Sequence, residues 1–450
     1  MRPSTTTGSH KLLFWAIVLA IHRVAATRTP APTPPPSPTP PPSPTPAPTA
    51  PADYDPGNLQ VYEEDIDIYL SKGLTARVIA RSGEPVPYSN GSQSTESFHL
   101  NPDGAAVFEN ESTGGWVYVS NSETDEHNGG VGGLYFDKDG NLIEYKMLLT
   151  GTNRNCNGGK TFWGAWISCE EDYDSVGQAW QVDPFGIREP VAITHGSTGG
   201  AWESFALDAR DSTKYYAFLT EDIERGAVQR MTLEKPDTSN PWEILLQNGT
   251  VDYLLLEPNC DNNGGTFQWI TDEETARQNA ADVYPTCEGM EMDGNILRVI
   301  SKARYGFFHL NLDAGTYVFE STQFAGQPDQ STTVYQEDGS KLIYFSEEAD
   351  PIRGCFGAQV GIHTRNEAGE YTNILFGEER SPETTGIAFS PDGMYMYFAY
   401  QQDGLVMEVS RTDGLSLFGR TASPADPCTA ERVQNALSSA WQSFRGWMLP

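Results

Sequence analysis

Apolar residues along most of the chain occur in short runs rather than at the spacing of an amphipathic helix. These runs are rich in β-branched and aromatic residues, which favour the pleated surface of a strand. The clearest runs are Trp116–Val119, Leu134–Phe136, Tyr215–Leu219, Ile296–Ile300, Leu342–Phe345 and Met396–Tyr400. Within this region only Asp272–Asp282 has a helical pattern, and near the C-terminus Ala430–Trp447 is compatible with an amphipathic helix. The pattern therefore predicts an all-β protein.

Asp-Gly dipeptides separate many of these runs, and they suit tight hairpins because both residues tolerate a positive φ. They occur at Asp103-Gly104, Asp139-Gly140, Asp293-Gly294, Asp338-Gly339 and Asp392-Gly393. The last three recur roughly every 50 residues, which is typical of four-stranded propeller blades. We therefore expect one β-propeller of about six blades over residues 55–415, followed by a tail over 416–450. A pair of β-sandwiches is the competing architecture.

The N-terminal residues differ from the rest of the chain. A positive start, an apolar run over Leu12–Ile21 and small residues at Val24–Ala26 predict a signal peptide over residues 1–26. A Pro/Thr/Ser-rich segment over 27–54 cannot form a helix or a sheet ladder, so it is expected to be a disordered, extended linker. Beyond the N-terminus, no apolar run is long enough for a transmembrane helix. These segments predict a secreted, extracellular protein, with possible association to a cell wall or surface through the stalk.

The composition narrows the possible partners. The 61 acidic residues outnumber the 29 basic residues, which gives a formal net charge of −32. Such a chain repels phosphate backbones, so nucleic acid is excluded as a partner. Bound Ca²⁺ is compatible with the acidity. Three sequons predict glycosylation at Asn90, Asn110 and Asn248.

Acidic residues cluster where the predicted strands end. Cys169 is followed by Glu170, Glu171 and Asp172, and similar groups occur around Glu203, at Glu221-Asp222, at Glu288, at Glu347-Glu348 and at Glu383. If these strand ends converge on a propeller axis, they form a carboxylate-lined funnel that binds metal. A thiolate beside hard oxygen ligands can bridge transition-metal ions. The alternative is a buried or disulfide-linked Cys169 beside solvated acids. Neither a nucleophile elbow nor a zinc-protease helix motif occurs, and no catalytic residue can be assigned.

Three segments resemble the PhoX-type alkaline phosphatase family. Residues 155–171 resemble its Asn-Cys-x-Gly-Gly…Trp-Gly-x-Trp-x-x-Cys-Glu-Glu signature, and residues 383–393 resemble its Glu-x-Thr-Gly-x-x-Phe-Ser-Pro-Asp-Gly segment. Asn121-Ser122-Glu123 is similar to the family's Asn-His-Glu, with Ser in place of His. The resemblance covers roughly residues 96–405 and identifies the chain as a divergent eukaryotic member.

The resemblance implies a secreted phosphomonoesterase whose β-propeller holds Fe³⁺ and Ca²⁺ and acts on a small phosphoester substrate. It implies Cys169 as the bridging thiolate. The further metal ligands that it implies are Glu170, Glu203, Glu221, Asp222 and Glu288. Additional candidates for the site are Asn121, Glu123, Glu347 and Glu383.

Two positions differ from the family pattern. Trp202 stands where the family has His before Glu203, and Thr286 stands where an Arg that would hold phosphate is expected. Arg304 and Arg353 are candidate replacements for that arginine. Two other functions remain open: a calcium-dependent lactonase or esterase, which does not need Cys169, and a non-catalytic extracellular binding module.

Overall fold

The computed structural model describes residues 54–63, 66–173, 176–235, 240–349, 360–377, 380 and 382–419. The chain divides into residues 1–50 and residues 51–450, and the described residues belong to the second unit. The predicted signal peptide, almost all of the linker, the helix expected over Ala430–Trp447 and Arg353 lie outside the described residues. The domain boundaries drawn there stay predictions.

In the described residues, short runs of alternating and fully apolar residues form 29 strands, most of which belong to six antiparallel blades of four strands each. The chain begins with β1 (Asp55–Glu63), β2 (Ile68–Lys72), β3 (Leu74–Arg81), β4 (Pro85–Pro87) and β5 (Gln93–Ser97). Blade 1 follows as β6 (Pro102–Asn110), β7 (Gly115–Ser122), β8 (Gly129–Phe136) and β9 (Leu142–Thr152). Blade 2 is β10 (Asn155–Lys160), β11 (Trp166–Glu170), β12 (Ala179–Val182) and β13 (Val191–Ala192).

Blades 3 and 4 flank an inserted strand and helix. Blade 3 is β14 (Trp202–Asp208), β15 (Lys214–Glu221), β16 (Gln229–Glu234) and β17 (Thr250–Pro258). The insertion is β18 (Gly264–Ile270) and α1 (Glu273–Val283). Blade 4 is β19 (Cys287–Asp293), β20 (Ile296–Ser301), β21 (Gly306–Asn311) and β22 (Thr316–Ser321). Because β18 pairs with both β17 and β22, the two blades join into one nine-stranded sheet.

The last two blades complete the set. Blade 5 is β23 (Gln327–Tyr335), β24 (Lys341–Glu348), β25 (Gly361–Asn366) and β26 (Tyr371–Gly377). Blade 6 is β27 (Thr384–Phe389), β28 (Tyr395–Tyr400) and β29 (Leu405–Arg411), with β3 as its fourth strand. Short 3₁₀ helices lie at Pro241–Leu246, Lys302–Arg304 and Leu417–Gly419. None of the described helices is long and apolar enough to span a bilayer.

The six innermost strands form a closed ring. Each of β6, β10, β14, β19, β23 and β27 contacts the next, and β27 contacts β6. The ring is closed by pairing of the early strand β3 with the late strand β29. The expected all-β propeller of about six blades is confirmed, and the sandwich alternative is excluded.

The core lies between neighbouring blades. Between blades 6 and 1, the rings of Tyr118 and Tyr397 lie 5.4 Å apart, and the Trp116 indole N–H donates to the Tyr397 hydroxyl at 3.2 Å. The helix α1 packs its small residues Ala276 and Ala280 against the core of blades 3 and 4. Burial of such aromatic surface is a major source of stability in folds of this kind.

The hydrophobic pattern predicted the strands well. Five of the six apolar runs are the second strand of a blade, and Leu134–Phe136 lies in a third strand. The predicted helix is α1, for which Asp272 is the N-cap and accepts a hydrogen bond from the Thr275 backbone N–H at 3.3 Å. Four Asp-Gly pairs are at hairpins, but the turn expected at Asp103-Gly104 is wrong because both residues lie inside β6.

Candidate metal centre

A β-bulge interrupts the innermost strand of every blade. In each case the register with the second strand shifts by one residue near the strand start. Bulges are common beside active sites, because the extra residue redirects a side chain. In blades 1–5 the first bulged residue is Asp103, Cys156, Glu203, Glu288 and Asp329, respectively. In blade 6 it is Gly386, and the acid of that blade, Glu383, comes just before β27.

A second set of charged residues lies at or directly after the ends of the second strands. The residue directly after the last pair before the bulge is Glu123, Glu171, Asp222, Lys302 and Glu348 in blades 1–5. Because the blades are arranged around one axis, these two sets lie at the same end of the propeller. We call the two sets together, with Glu383, the axial cluster.

Eight members of the axial cluster form four overlapping groups that could hold metal ions. Within each group the ligand atoms lie within 4.8 Å of one another. The groups are Asp103, Glu123 and Cys156; Cys156, Glu171 and Glu203; Asp103, Asp329 and Glu383; and Glu203, Glu288 and Asp329. Because neighbouring groups share residues, the arrangement suits several ions bridged by common ligands.

Glycine allows the inner strands to approach closely at the cluster. A Cβ atom at Gly104, next to Asp103, would lie 2.5 Å from the Asn157 Cα, and one at Gly289, next to Glu288, would lie 2.7 Å from the Asp329 carbonyl oxygen. Both distances are shorter than a side chain permits. These glycines therefore keep carboxylates from neighbouring blades within reach of a shared ion.

Hydroxyl groups on the second strands accept hydrogen bonds from backbone N–H groups in the bulges. The Ser204 backbone N–H donates to the Thr220 hydroxyl at 2.9 Å, and the Gln330 N–H donates to the Ser346 hydroxyl at 3.0 Å. Buried backbone donors without partners are costly. These contacts stabilise the irregular backbone that presents the acids.

The acids are buried, and several of their carboxylate oxygens have no hydrogen-bond donor among the described residues. Both carboxylate oxygens of Glu203 are buried without a hydrogen-bond partner, and so is Oδ1 of Asp222. Burial, followed by repulsion from Glu288, raises the pKa of Glu203 well above its ordinary value. Burial also raises the pKa of Glu123 and of Asp329 to about 7. Buried oxygen atoms without donors and a high density of acids fit bound cations, and a set of carboxylates with one sulfur fits both Ca²⁺ and a transition metal.

Two basic side chains lie among the acids. Arg154 Nη2 lies 2.6 Å from Glu123 and 2.7 Å from Glu171. Lys302 Nζ lies 2.6 Å from Asp222, 2.6 Å from Glu288 and 3.2 Å from Glu348. Burial alone would lower the pKa of Lys302, but its three carboxylate neighbours raise that pKa well above the ordinary value. The neighbouring carboxylates therefore favour the charged form of both side chains.

The structure places Cys156, rather than the predicted Cys169, among the acids of the axial cluster. Cys169 is fully buried in β11 within a hydrophobic cluster that includes Ile167 and Trp202, and it is in none of the four groups. Burial, followed by Glu170, raises the pKa of its thiol. The cysteine among the acids is Cys156, whose sulfur lies 4.0 Å from the Glu171 carboxylate. The two cysteines differ because the bulge in β10 affects Cys156, whereas Cys169 follows the regular alternation of β11.

Two further predicted residues support the cluster without joining it. Glu170 accepts hydrogen bonds from the Asn153 and Gln178 backbone N–H groups at 2.7 and 2.8 Å. Asn121 donates to the carbonyl oxygens of Cys156 and Asn157 at 3.0 and 2.9 Å and accepts from the Trp166 indole N–H at 2.9 Å. Asn121 thus holds the bulge that carries Cys156.

The remaining predicted acids divide between the cluster and its surroundings. Glu123, Glu203, Glu288 and Glu383 are in the groups, and Asp222 lies beside Glu288 through Lys302. Glu221 pairs instead with Arg277 at 2.8 Å, and Glu347 contacts His363 Nε2 at 2.7 Å. Arg304 does not lie in the cluster, since it donates to the Val283 carbonyl oxygen at 2.7 Å.

Sequence reasoning did not single out Asp103, Cys156 or Asp329 as potential ligands, and it named Glu171 only within the acidic run after Cys169. Asp103 was interpreted as a turn residue, and Asp329 follows a proline in an unremarkable segment. A usable signal exists, because Asp103, Glu288 and Asp329 each stand at the second or third position of an innermost strand. Of the sequons, Asn90 and Asn248 are exposed and Asn110 is half-buried.

Comparison with known proteins gives one family match and several matches among solved structures. The family model for alkaline phosphatase PhoX matches residues 138–221, the segment that contains Cys156, Glu171 and Glu203. No curated protein matches the chain. Among solved structures, Pseudomonas fluorescens PhoX in complex with vanadate, a transition state analogue, matches with a TM-score of 0.63 and 15% identity, covering 82% of this chain and 99% of that chain.

Other solved structures match with lower TM-scores. Selenomethionine-substituted virginiamycin B lyase from Staphylococcus aureus matches at 9% identity with a TM-score of 0.40, covering 75% of this chain and 99% of that chain. A putative 6-phosphogluconolactonase from Bacteroides uniformis matches at 12% identity with a TM-score of 0.41, covering 79% and 98%. The fold and its axial cluster define a six-bladed propeller with an acidic centre suited to several metal ions. The resemblance to the PhoX-type family that the sequence motifs indicated is confirmed.

Proposed function

We propose that this chain is a secreted, metal-dependent phosphomonoesterase of the PhoX type. The observation that carries the proposal is the axial cluster, in which seven carboxylates and the Cys156 thiol form overlapping ligand groups. The propeller shared with PhoX and the family match over residues 138–221 support it.

The residues that would hold metal are Asp103, Glu123, Cys156, Glu171, Glu203, Glu288, Asp329 and Glu383. Calcium suits the oxygen ligands, and iron suits the groups that contain the Cys156 sulfur. Bound cations neutralise the phosphate and stabilise the charge that develops as the ester bond breaks. The assignment of Ca²⁺ and Fe³⁺ rests on the family resemblance and on this donor chemistry.

The chain's own contribution is positioning and charge. Asn121 and Glu170 fix the backbone around Cys156 through the hydrogen bonds described above. The Arg154 guanidinium lies between Glu123 and Glu171 with about a quarter of its side chain exposed, so it is a partly accessible cation at the cluster. A planar guanidinium can bind phosphate through two hydrogen bonds, so Arg154 is the candidate for substrate binding in place of the arginine absent at Thr286.

The first test compares two cysteine variants. The secreted protein is assayed on a chromogenic phosphomonoester with and without chelator, and its metals are determined by plasma mass spectrometry. Cys156→Ala should lose bound transition metal and most activity. The control, Cys169→Ala, should keep both, because Cys169 lies outside the groups.

The results discriminate between the functions considered. Iron with calcium and chelator-sensitive turnover support the phosphatase. Calcium alone with turnover of a lactone or carboxylic ester supports the lactonase or esterase alternative. A folded protein without metal or turnover contradicts the proposal and supports a binding module.

Secretion is part of the proposal and has its own test. Exposed Asn90 and Asn248 suit glycans, as expected for a chain that enters the secretory pathway. Expression in a eukaryotic host should release glycosylated protein lacking residues 1–26, and cell-wall association should be lost when residues 27–54 are deleted. An unglycosylated, cell-retained product contradicts this part of the proposal.

A further inference from the structure

Lys302 differs in charge from the residues at the equivalent position of the other blades. At the position directly after the last pair before the bulge, the second strands of blades 1, 2, 3 and 5 have Glu123, Glu171, Asp222 and Glu348. Blade 4 alone among these five has a basic residue, Lys302. A positive side chain therefore occupies a position that is acidic in the equivalent blades.

The ammonium group of Lys302 is surrounded as a cation would be. Its Nζ lies 2.6 Å from Asp222 Oδ2, 2.6 Å from Glu288 Oε1 and 3.2 Å from Glu348 Oε1, which come from blades 3, 4 and 5. An ammonium has three hydrogen-bond donors, and three carboxylates use all of them. The Lys302 side chain is 22% exposed, and Asp222 and Glu288 are almost fully buried.

Of the three carboxylates around Lys302, two belong to no potential metal group. Asp222 and Glu348 are in none of the four groups, although their ring equivalents Glu123 and Glu171 are. Only Glu288 belongs to both a metal group and the Lys302 contacts. The potential metal groups and the contacts of Lys302 thus use different carboxylates of the axial cluster, apart from Glu288.

Thr286 fixes the turn that carries Lys302. Its carbonyl oxygen accepts from the Lys302 backbone N–H at 3.0 Å, and its hydroxyl accepts from the Ala303 N–H at 3.1 Å. Thr286 has a φ of 51°, so the backbone here is constrained. The residue that differs from the family's arginine therefore directly supports the basic side chain.

We propose that the Lys302 ammonium takes the place of a divalent cation among Asp222, Glu288 and Glu348. The chain then binds fewer metal ions than its carboxylates could hold and keeps one positive charge that a chelator cannot remove. This inference rests on the proposed metal centre, and its test separates the two.

The experiment measures metal stoichiometry rather than turnover. The parent, Lys302→Ala and the control Lys341→Ala are dialysed against Ca²⁺ and their metals are counted by plasma mass spectrometry and calorimetric titration. Lys341 pairs with Asp293 at 3.0 Å, away from the cluster. We expect about one additional Ca²⁺ per chain in Lys302→Ala, because three carboxylates are released as hard oxygen ligands, and no change in Lys341→Ala. Adding Asp222→Asn to Lys302→Ala should remove the extra ion.

The outcomes are distinguishable. A folded Lys302→Ala with the parent's metal count overturns this inference and leaves the proposed function intact, whereas a parent without bound metal overturns both. Lys302→Gln, which keeps the length of the side chain, is the second variant if Lys302→Ala does not fold in chelator. If Ca²⁺ restores the native circular dichroism of at least one of these two variants, the result supports the replacement of a divalent cation by the Lys302 ammonium. If Ca²⁺ restores neither variant, the result contradicts it.

Discussion

Asp329 illustrates how a single residue couples the cluster to pH. It is buried, accepts a hydrogen bond from the Ser346 hydroxyl at 3.1 Å and lies in two of the potential metal groups. Burial, followed by repulsion from Glu348, raises its pKa to about 7. Without metal, Asp329 therefore favours the neutral form at a pH where an exposed aspartate is ionised.

Asp329→Asn should change the pH dependence of stability in metal-free protein. A folded pKa above the unfolded value contributes stability below about pH 4, and that contribution is lost as the pH rises through about 7. In chelator, the free energy of unfolding of Asp329→Asn should therefore rise relative to that of the parent between pH 5 and pH 8, by on the order of 1–3 kcal/mol.

Urea unfolding at several pH values measures this difference. The control is Asp261→Asn, at an exposed position, which should follow the parent at every pH. Parallel curves for the parent and Asp329→Asn would show that Asp329 is ionised in the folded state without metal.

At the scale of the strand, the bulge decides which side chains reach the axis. A strand alternates its side chains between two faces, and one extra residue reverses that alternation. Every innermost strand of the six blades contains such a shift near its start. The close approach at Gly104 and Gly289 keeps the bulged residues of neighbouring blades near one another.

Gly104→Ala should damage both stability and metal binding. The new Cβ would lie 2.5 Å from the Asn157 backbone, next to Cys156, so β6 or β10 must move. Overpacking of this kind costs about 1–3 kcal/mol, and the displacement of Asp103 should weaken Ca²⁺ binding at least several-fold.

Thermal unfolding with and without Ca²⁺ tests this expectation. Gly419→Ala is the control, because a Cβ there meets nothing within 4 Å. If Gly104→Ala kept the parent's calcium affinity and stability, close contact of the inner strands would not position the acids.

The bulges also explain which parts of the site the sequence predicted. The apolar runs and Asp-Gly hairpins reveal second strands, so the acids that follow them, such as Glu221-Asp222, were found. Asp103 and Asp329 were missed because a bulge has no hydrophobic signature of its own. The sequence pointed to Cys169 rather than Cys156 for the same reason, since both lie in one motif and only three-dimensional register distinguishes the side chain among the acids from the one in the hydrophobic cluster.

At the scale of the whole molecule, the cluster joins all six blades. Its eight potential ligands come from every blade, so ions bound to them would connect elements that are far apart in sequence. The chain also has a net charge of −32, and bound cations would reduce its self-repulsion.

Chelation should therefore destabilise the entire propeller. A ligand that binds only the folded state at 100 times its dissociation constant stabilises it by about 2.7 kcal/mol. We expect EDTA to lower Tm by several degrees and excess Ca²⁺ to restore it. Glu203→Gln should reduce this response, whereas Glu144→Gln, at an exposed site on β9, should not. An unchanged Tm in EDTA would mean that the fold does not depend on cations.

The pairing of β3 with β29 has a consequence for biosynthesis. Blade 6 needs a strand from near residue 80 and three strands after residue 383, so it cannot assemble until nearly the entire described chain has left the ribosome. Until then β3 and the ends of the growing ring have unpaired edges, which favour aggregation and recognition by chaperones. A prematurely terminated product lacks the closing strands and Glu383, so it can neither close the ring nor complete the ligand set. Acquisition of the full set of ions would then distinguish finished molecules from fragments.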